Sequence, residues 1–160
     1  MASLSDLKLT YRLYMKSYRY RAYDWGPGAV LSKPLHEATV ACVTTASFHL
    51  PEQAPFDASI RGGDYSYREI PTGSDLRTLE MAHRSDAFDE TGIRGDYNLA
   101  LPVDRLREMA AAGEIGGVAP RHFSFQGSIP APSRLLKMTA PEVAGKLRSD
   151  GVDGVLLTPV

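Results

Sequence analysis

The stretch ATVACVTTASFHL, residues 38–50, decides the fold class of this chain. Residues 38–44 are short, apolar and β-branched, which is typical of a strand buried on both faces of a parallel sheet. A second such run, residues 155–157, lies in the terminal VDGVLLTPV, and Thr158-Pro159 begins a loop after it. Two buried strands predict an open α/β sheet, in which ligands bind at the carboxyl ends of the strands.

The N-terminal segment has a helical pattern over residues 5–23. Leu7, Tyr11, Tyr14 and Tyr18 recur at three- and four-residue steps, with basic residues between them. This pattern predicts an amphipathic helix that packs on the core through its tyrosines. A dimer arm or a partner-docking helix is the alternative, because aromatic side chains are enriched at interfaces.

The rest of the chain alternates between strand, loop and helix patterns. A long irregular stretch is predicted for residues 51–75, a strand for 76–82 and another strand near Val118. Helices are predicted for residues 102–113, where Pro102 suits the first turn, and for 133–150, with a break at Thr139. We therefore expect an α/β fold: a three-layer, mainly parallel sheet with helices on both faces, Rossmann-like or flavodoxin-like. Residues 1–24 are assigned to the N-terminal helix and 25–160 to a single α/β domain.

Composition excludes several classes of function. The 160 residues are 43% hydrophobic and 23% charged, with a net charge of −1, so no global field favours nucleic acid or an anionic membrane. No apolar run approaches the ~20 residues of a membrane span, and the N-terminus lacks a secretory pattern. The sequence therefore predicts a cytoplasmic protein without membrane or nucleic-acid partners, and leaves homo-oligomerisation open.

Cys42 is the single cysteine, so neither an internal disulfide nor a cysteine-based zinc cluster can form. It lies in the middle of the predicted strand 38–44. A free cysteine in that position behaves as a small buried hydrophobic residue.

Three histidines follow predicted strands. In a parallel sheet, the loops after these strands lie at one edge. Imidazole, guanidinium and hydroxyl groups there could bind a carboxylate or move protons, or the histidines could only hold long loops together. Three histidines could also bind zinc, but no close ligand spacing supports a metal site. The candidate residues are Thr44, Thr45, His49, His83, Arg121, His122 and Ser124.

Two glycine-containing motifs, RGGD at residues 61–64 and GIRGD at 92–96, are predicted to be turns. Neither follows a strand in the way that a dinucleotide or phosphate loop requires. The sequence also lacks the G-x-S-x-G elbow of α/β-hydrolases.

Several segments together resemble the selenoprotein B family of glycine, sarcosine, betaine and D-proline reductases. The resemblance extends from about residue 25 to 160, and the chain is similar in size to the shorter, D-proline-reductase-like members. The segment at 101–130 is the most specific. The matching segments are SKPLHEATVACVTTASFHLPEQAPFD, GDYSYREIP, HRSDAFDE, LPVDRLREMAAAGEIGGVAPRHFSFQGSIP and TAPEVAGKLRSDGVDGVLLTPV.

The resemblance implies reductive cleavage of a C–N or related bond in a small amino acid or amine. A selenolate or thiolate attacks the substrate and a dithiol, carried by a thioredoxin-like reductant, restores it. It also implies a partner subunit with a pyruvoyl group, and no cofactor within this chain. A selenolate suits this role because it is ionised at neutral pH, where a typical thiol is mostly protonated.

The chain departs from the family pattern after Val160, where relatives continue into a segment with cysteine or selenocysteine. Because selenocysteine is encoded by UGA, the resemblance suggests a truncated gene model, and the nucleophile is then expected beyond Val160. The leading hypothesis is a subunit or fragment of a selenoprotein-B-type reductase in which the seven candidate residues bind substrate or partner. The alternative is a non-catalytic small-molecule-binding or assembly subunit without the redox segment; a metal-dependent hydrolase or lyase is the third hypothesis.

Overall fold

A computed structural model describes residues 8–18, 24, 26, 28–83 and 88–160 of the chain. The chain divides into two units, Met1–Val30 and Leu31–Val160. In the first unit, α1 spans Leu9–Ser17, inside the helix predicted for residues 5–23, whose ends at 5–7 and 19–23 lie outside the described residues. In contrast to the expected burial of its tyrosines, α1 has no buried residue.

The second unit contains a mixed, mostly parallel sheet, as the sequence predicts. At its centre is β1, Thr39–Thr44, which pairs in parallel along its length with β7, Gly154–Thr158. The other edge of β1 pairs in parallel first with β5, Gly117–Val118, and then with β6, Arg121–Phe125. Antiparallel to β6 lies β3, Tyr67–Pro71. Sequence patterns predict β1, β5 and β7, but they do not predict β3 or β6.

A second, two-stranded sheet pairs β2, Phe48–His49, with β4, Glu80–Met81, in antiparallel register. The strand predicted for residues 76–82 is therefore mostly wrong. Its first half is a 3-10 turn, Leu76–Thr78, because the Asp75 side chain accepts a hydrogen bond from the N–H of Arg77 and starts the turn.

Helices cover both faces of the main sheet. After α2, Thr91–Gly95, comes α3, Val103–Ala111, whose Val103 and Leu106 pack with β1 side chains on one face. On the opposite face, α4, Ala140–Ser149, packs against β6 through Val143 and Leu147. A π-helical turn, Leu135–Thr139, precedes α4 where the sequence predicts a break at Thr139.

At the outer side of β1, β7 is less buried than its sequence suggests. Val155 and Leu156 are 42% and 41% exposed, and Leu157 is 67% exposed, so the prediction that this strand is buried is wrong, although the strand itself forms. Among the described residues, the only strand that pairs with β7 is β1.

Candidate functional site

The carboxyl ends of three parallel strands meet at one edge of the main sheet. Thr44, the last residue of β1, pairs with Ser124 of β6 on one side and with Thr158 of β7 on the other. This carboxyl edge is where open α/β sheets bind their ligands. It brings together four sequence-predicted residues: Thr44, Thr45, His83 and Ser124.

The hydroxyl of Thr45 holds the chain that leaves β7. It accepts a hydrogen bond from the N–H of Val160 at 3.0 Å and lies 3.2 Å from the Val160 carbonyl oxygen, to which it donates. The Thr44 hydroxyl donates to the Thr158 carbonyl oxygen at 3.3 Å, and the Thr158 hydroxyl donates to the Ala100 carbonyl oxygen at 2.7 Å. These contacts fix residues 158–160 over the end of β1.

Two serines at the carboxyl edge adopt a backbone conformation that is uncommon for residues other than glycine. Ser47, after β1, and Ser128, after β6, both have a φ of 59°. The Ser47 N–H donates to the Phe125 carbonyl oxygen at 3.0 Å, so the loop after β1 is bonded to the end of β6. Such strained conformations are concentrated at active sites and ligand-binding loops.

His83 reaches this edge because the N–H of the preceding residue, Ala82, donates to the Ser47 carbonyl oxygen at 3.1 Å. The imidazole stacks on Phe88, with 4.0 Å between ring centroids. A Cβ built on Gly127 would lie 2.5 Å from the His83 Nε2 and 2.9 Å from the Thr45 carbonyl oxygen. The absence of a side chain at Gly127 therefore makes room for the imidazole.

Two buried polar groups beneath this edge have no hydrogen-bond partner among the described residues: the Ser124 Oγ and the Gln126 Nε2. The Gln126 Oε1 is satisfied, because it accepts from the Asp64 N–H at 2.7 Å. An unsatisfied buried polar group costs about 1–3 kcal/mol. Ordered water or a polar ligand group at this edge would satisfy them.

His122, the second residue of β6, lies in the core beside a gap in the pairing of β1 with β5 and β6. Pro120 has no N–H and separates β5 from β6. In the gap, the N–H of Cys42 donates to the His122 Nδ1 at 3.0 Å instead of to a strand carbonyl. The Nε2 lies 3.1 Å from the Thr72 hydroxyl, to which it donates, and that hydroxyl donates to the Ala119 carbonyl oxygen. Burial, with a smaller effect of Arg107, lowers the pKa of His122 to about 4.

The other two candidates also lie away from the carboxyl edge. Arg121 is at the amino end of β6, where its guanidinium binds Asp150 at 2.7 Å and Glu69 at 2.8 Å. His49 is buried in β2, with its Nδ1 3.1 Å from the Leu50 carbonyl oxygen and its Nε2 3.9 Å from a Glu80 carboxylate oxygen. Substrate binding by the seven candidate residues stays a prediction.

Cys42 is fully buried, and burial raises the pKa of its thiol to about 11, although a hydrogen bond with Thr158 acts in the opposite direction. The thiol is therefore protonated and inaccessible at neutral pH, which is unfavourable for a nucleophile. Within the described part of the chain, no three His, Cys, Asp or Glu side chains come close enough to hold a metal ion.

Sequence reasoning missed Ser47, Gly127, Ser128 and Thr158, which complete the carboxyl edge. One signal was available for Gly127 and Ser128: the glycine in FQGSIP follows the apolar-polar alternation of RHFSF. No local signal distinguishes Ser47, because its role depends on contact with the loop after β6.

The fold and this edge define an α/β protein with a polar site where its parallel strands end. Over residues 7–160, the chain matches the family model of glycine/sarcosine/betaine reductase selenoprotein B. The chain belongs to this family.

Three curated relatives have the following names and similarities. D-proline reductase subunit gamma of Acetoanaerobium sticklandii is 33% identical over 134 residues, 84% of this chain and 52% of the relative. Glycine reductase complex component B subunit gamma of Carboxydothermus hydrogenoformans is 31% identical over 142 residues, 86% of this chain and 31% of the relative. Betaine reductase complex component B subunit beta of Peptoclostridium acidaminophilum is 30% identical over 131 residues, 79% of this chain and 29% of the relative.

The chain thus spans about half the length of the first relative and about a third of the others. No solved structure matches it significantly. In the residues that the structure describes, no helix has the length and apolarity needed to cross a membrane.

Proposed function

We propose that this chain acts as a subunit, or part of a subunit, of a reductase complex that cleaves a C–N or related bond of a small amino acid or amine. Family membership supports the reductase complex, since the relatives carry the names of reductase subunits. The cleavage takes two electrons and two protons from a dithiol, which becomes a disulfide. A thioredoxin-like protein is the proposed source of this dithiol, and a pyruvoyl-bearing subunit is the proposed partner that activates the substrate amine.

The observation that carries the proposal is the composition of the carboxyl edge. It combines two strained serines, the imidazole of His83 and two buried polar groups, Ser124 Oγ and Gln126 Nε2, that have no partner in the part of the chain that the structure describes. These features are typical of a site that binds a polar ligand. His83 is the proposed proton-transfer group, because imidazole is the side chain whose ordinary pKa lies nearest to neutral pH.

The nucleophile of the proposed reaction is a selenocysteine or cysteine other than Cys42, whose thiol is buried and protonated. We propose that it lies in residues that follow Val160 in the natural product. The hydrogen bonds between Thr45 and Val160 would then direct the nucleophile toward the carboxyl edge. Thr45 is in this proposal a positioning residue.

A first experiment reads the codon that follows Val160 in the gene. A UGA codon with an in-frame continuation that encodes cysteine supports the proposal. UAA or UAG, or the lack of an open frame downstream, contradicts the selenocysteine hypothesis. Either of these two results would favour the alternative of a non-catalytic binding or assembly subunit, for which the inaccessible Cys42 is the supporting observation.

A second experiment measures reductase turnover by the longest gene product, together with the subunits encoded beside it. D-Proline, glycine and betaine are supplied with dithiothreitol as the electron donor. We expect His83→Gln to lower turnover at least about tenfold, because general acid–base groups contribute factors of this size or larger. His36→Gln, which changes an exposed histidine, is the matched control. Unchanged turnover in a folded His83→Gln protein would reject the role of His83.

A further inference from the structure

A cavity of about 310 Å³ lies between two loops of the second unit, outside the carboxyl edge. One wall is formed by residues 60–63, in and before the RGGD turn, with Tyr65, and the other by Ala131, Ser133 and Arg134. We name it the arginine pocket, after Arg61 and Arg134. Its volume is at the lower end of the range for small-molecule sites.

The two walls of the arginine pocket are held in a fixed relation by the glycines of the RGGD turn. Gly62 and Gly63 have φ values of +98° and +97°, a region that side chains other than hydrogen rarely allow. A Cβ on Gly62 would lie 2.8 Å from the Ala131 Cβ, and one on Gly63 would lie 3.0 Å from the Ile129 Cα. The Ala131 N–H donates to the Gly62 carbonyl oxygen at 3.2 Å.

Asp64 anchors the RGGD turn from below. Its buried carboxylate accepts hydrogen bonds from the N–H of Asp57 at 2.9 Å and from that of Ser66 at 2.8 Å. Its own N–H donates to Gln126. The turn that presents Arg61 is therefore attached to the sheet, which preorganises the wall of the pocket.

The two arginines differ from most arginines of this unit in having no carboxylate within ion-pair distance among the described residues. Arg134 instead lies over the Tyr65 ring, with 5.4 Å between its Cζ and the ring centroid. Among the described residues that line the pocket, none is acidic. Arginines that do pair with carboxylates are Arg77, Arg94, Arg105, Arg107 and Arg121.

We propose that the arginine pocket binds the carboxylate group of a small organic acid. Two guanidinium groups that form no ion pair with a described carboxylate disfavour a cation and favour an anion, and the planar fork of arginine matches the geometry of a carboxylate. The Ser133 hydroxyl adds a neutral hydrogen-bond donor at the same wall. This site is separate from the carboxyl edge and does not depend on the reductase chemistry proposed above.

The test is an NMR titration of the isotope-labelled protein with three probes: propionate, propionamide and inorganic phosphate. We expect propionate to shift the amide signals of residues 61–65 and of Ala131, Ser133 and Arg134 in a saturable way, and the isosteric but uncharged propionamide to leave them unchanged. Arg61→Gln and Arg134→Gln should each weaken propionate binding about tenfold, the effect of one charged hydrogen-bond donor. Arg134→Lys should restore part of the affinity, because it keeps the charge but loses the fork.

Arg148→Gln is the matched control, since Arg148 is an exposed arginine on α4 that makes no ion pair among the described residues. The control should bind propionate as the wild type does. Equal weakening in Arg148→Gln would indicate general charge attraction and would overturn the proposal, as would unchanged binding in both pocket variants. Tighter binding of phosphate than of propionate, with the same dependence on Arg61 and Arg134, would overturn the carboxylate assignment in favour of phosphate. None of these results depends on reductase turnover.

Discussion

The side chain of His122, in β6, fills a gap in the pairing of β1 with β5 and β6, and its protonation would disrupt the core. The imidazole accepts from the Cys42 N–H through Nδ1 and donates to the Thr72 hydroxyl through Nε2. A second proton could be placed only on Nδ1, where it would face the Cys42 N–H and put an uncompensated charge in the core. The folded protein therefore keeps His122 neutral, and we expect acid to destabilise it.

The magnitude follows from the difference between two pKa values. The pKa of His122 is about 4 in the folded protein, against an ordinary value of 6.5. The unfolded chain therefore binds one proton more between these values, so stability is fully present above pH 6.5 and falls as the pH falls toward 4. Integrating this linkage predicts a loss of about 2 kcal/mol between pH 7 and pH 5 from His122 alone.

The assay is urea unfolding, followed by circular dichroism, at several pH values between 7 and 5. This window lies above the range in which the carboxylates with lowered pKa, such as Asp64 and Asp150, begin to take up protons. The comparison variant is His122→Asn, whose side-chain oxygen can accept from the Cys42 N–H but cannot titrate. We expect the wild type to lose about 2 kcal/mol more than this variant over the window.

His36→Asn is the control, because it removes an exposed histidine and should leave the pH dependence of the wild type unchanged. Two results would refute the reasoning. One is equal pH dependence in the wild type and in His122→Asn. The other is a wild type that becomes more stable as the pH falls from 7 to 5, which would require a raised pKa.

Three further predictions concern the carboxyl edge and the buried thiol. Gly127→Ala should destabilise the protein by about 1–3 kcal/mol, because the new Cβ would overlap the His83 imidazole. Gly145→Ala, which has open space around it in α4, should instead stabilise the protein by about 0.5–1 kcal/mol. Urea unfolding measures both changes, and the reverse order of stabilities would contradict the packing around Gly127. Cys42 in the folded protein should react with iodoacetamide at least about a hundredfold more slowly than an unperturbed thiol, since its pKa is raised from 9.0 to about 11. Mass spectrometry measures the rate of alkylation. Rapid alkylation of the folded protein would contradict this prediction, because it would show an accessible thiolate. Thr45→Val should accelerate hydrogen exchange at the Val160 amide about fivefold, because it removes one hydrogen bond that contributes about 1 kcal/mol. Thr45→Ser keeps the hydroxyl and should leave the exchange rate unchanged. Equal exchange rates in the two variants would disprove the role of the hydroxyl.

Local sequence patterns were sufficient to predict those strands and helices whose apolar and polar residues follow a regular pattern of burial. β1 is apolar on both faces, and α3 has Pro102 immediately before its first turn. β6 could not be recognised in the same way, because its His122 and Ser124 are polar and yet buried. The imidazole of His122 is satisfied by Cys42 on β1 and by Thr72 just after β3, which lie far away in the sequence.

The candidate site likewise contains some residues that the sequence places correctly and others that it does not. The rule that ligands bind after parallel strands correctly places Thr44 and Thr45 at the carboxyl edge. His83 and Ser124 also lie there, but for other reasons: His83 follows the antiparallel β4, and Ser124 lies within β6. The same rule fails to locate Arg121, because the strand predicted near Val118 is interrupted at Pro120 and resumes as β6. Arg121 therefore begins a strand at the opposite end from the carboxyl edge.

The sequence by itself determined the α/β class, the central strand and the family, because these depend on local periodicity and on motifs that are contiguous in the chain. Only the tertiary structure decided that His122 is a core residue, that Thr45 holds Val160, and that Arg61 and Arg134 share a cavity. Each of these relations joins residues more than 70 positions apart. A hydrogen bond or a shared cavity depends on distance in space, and the order of residues along the chain leaves no local trace of it.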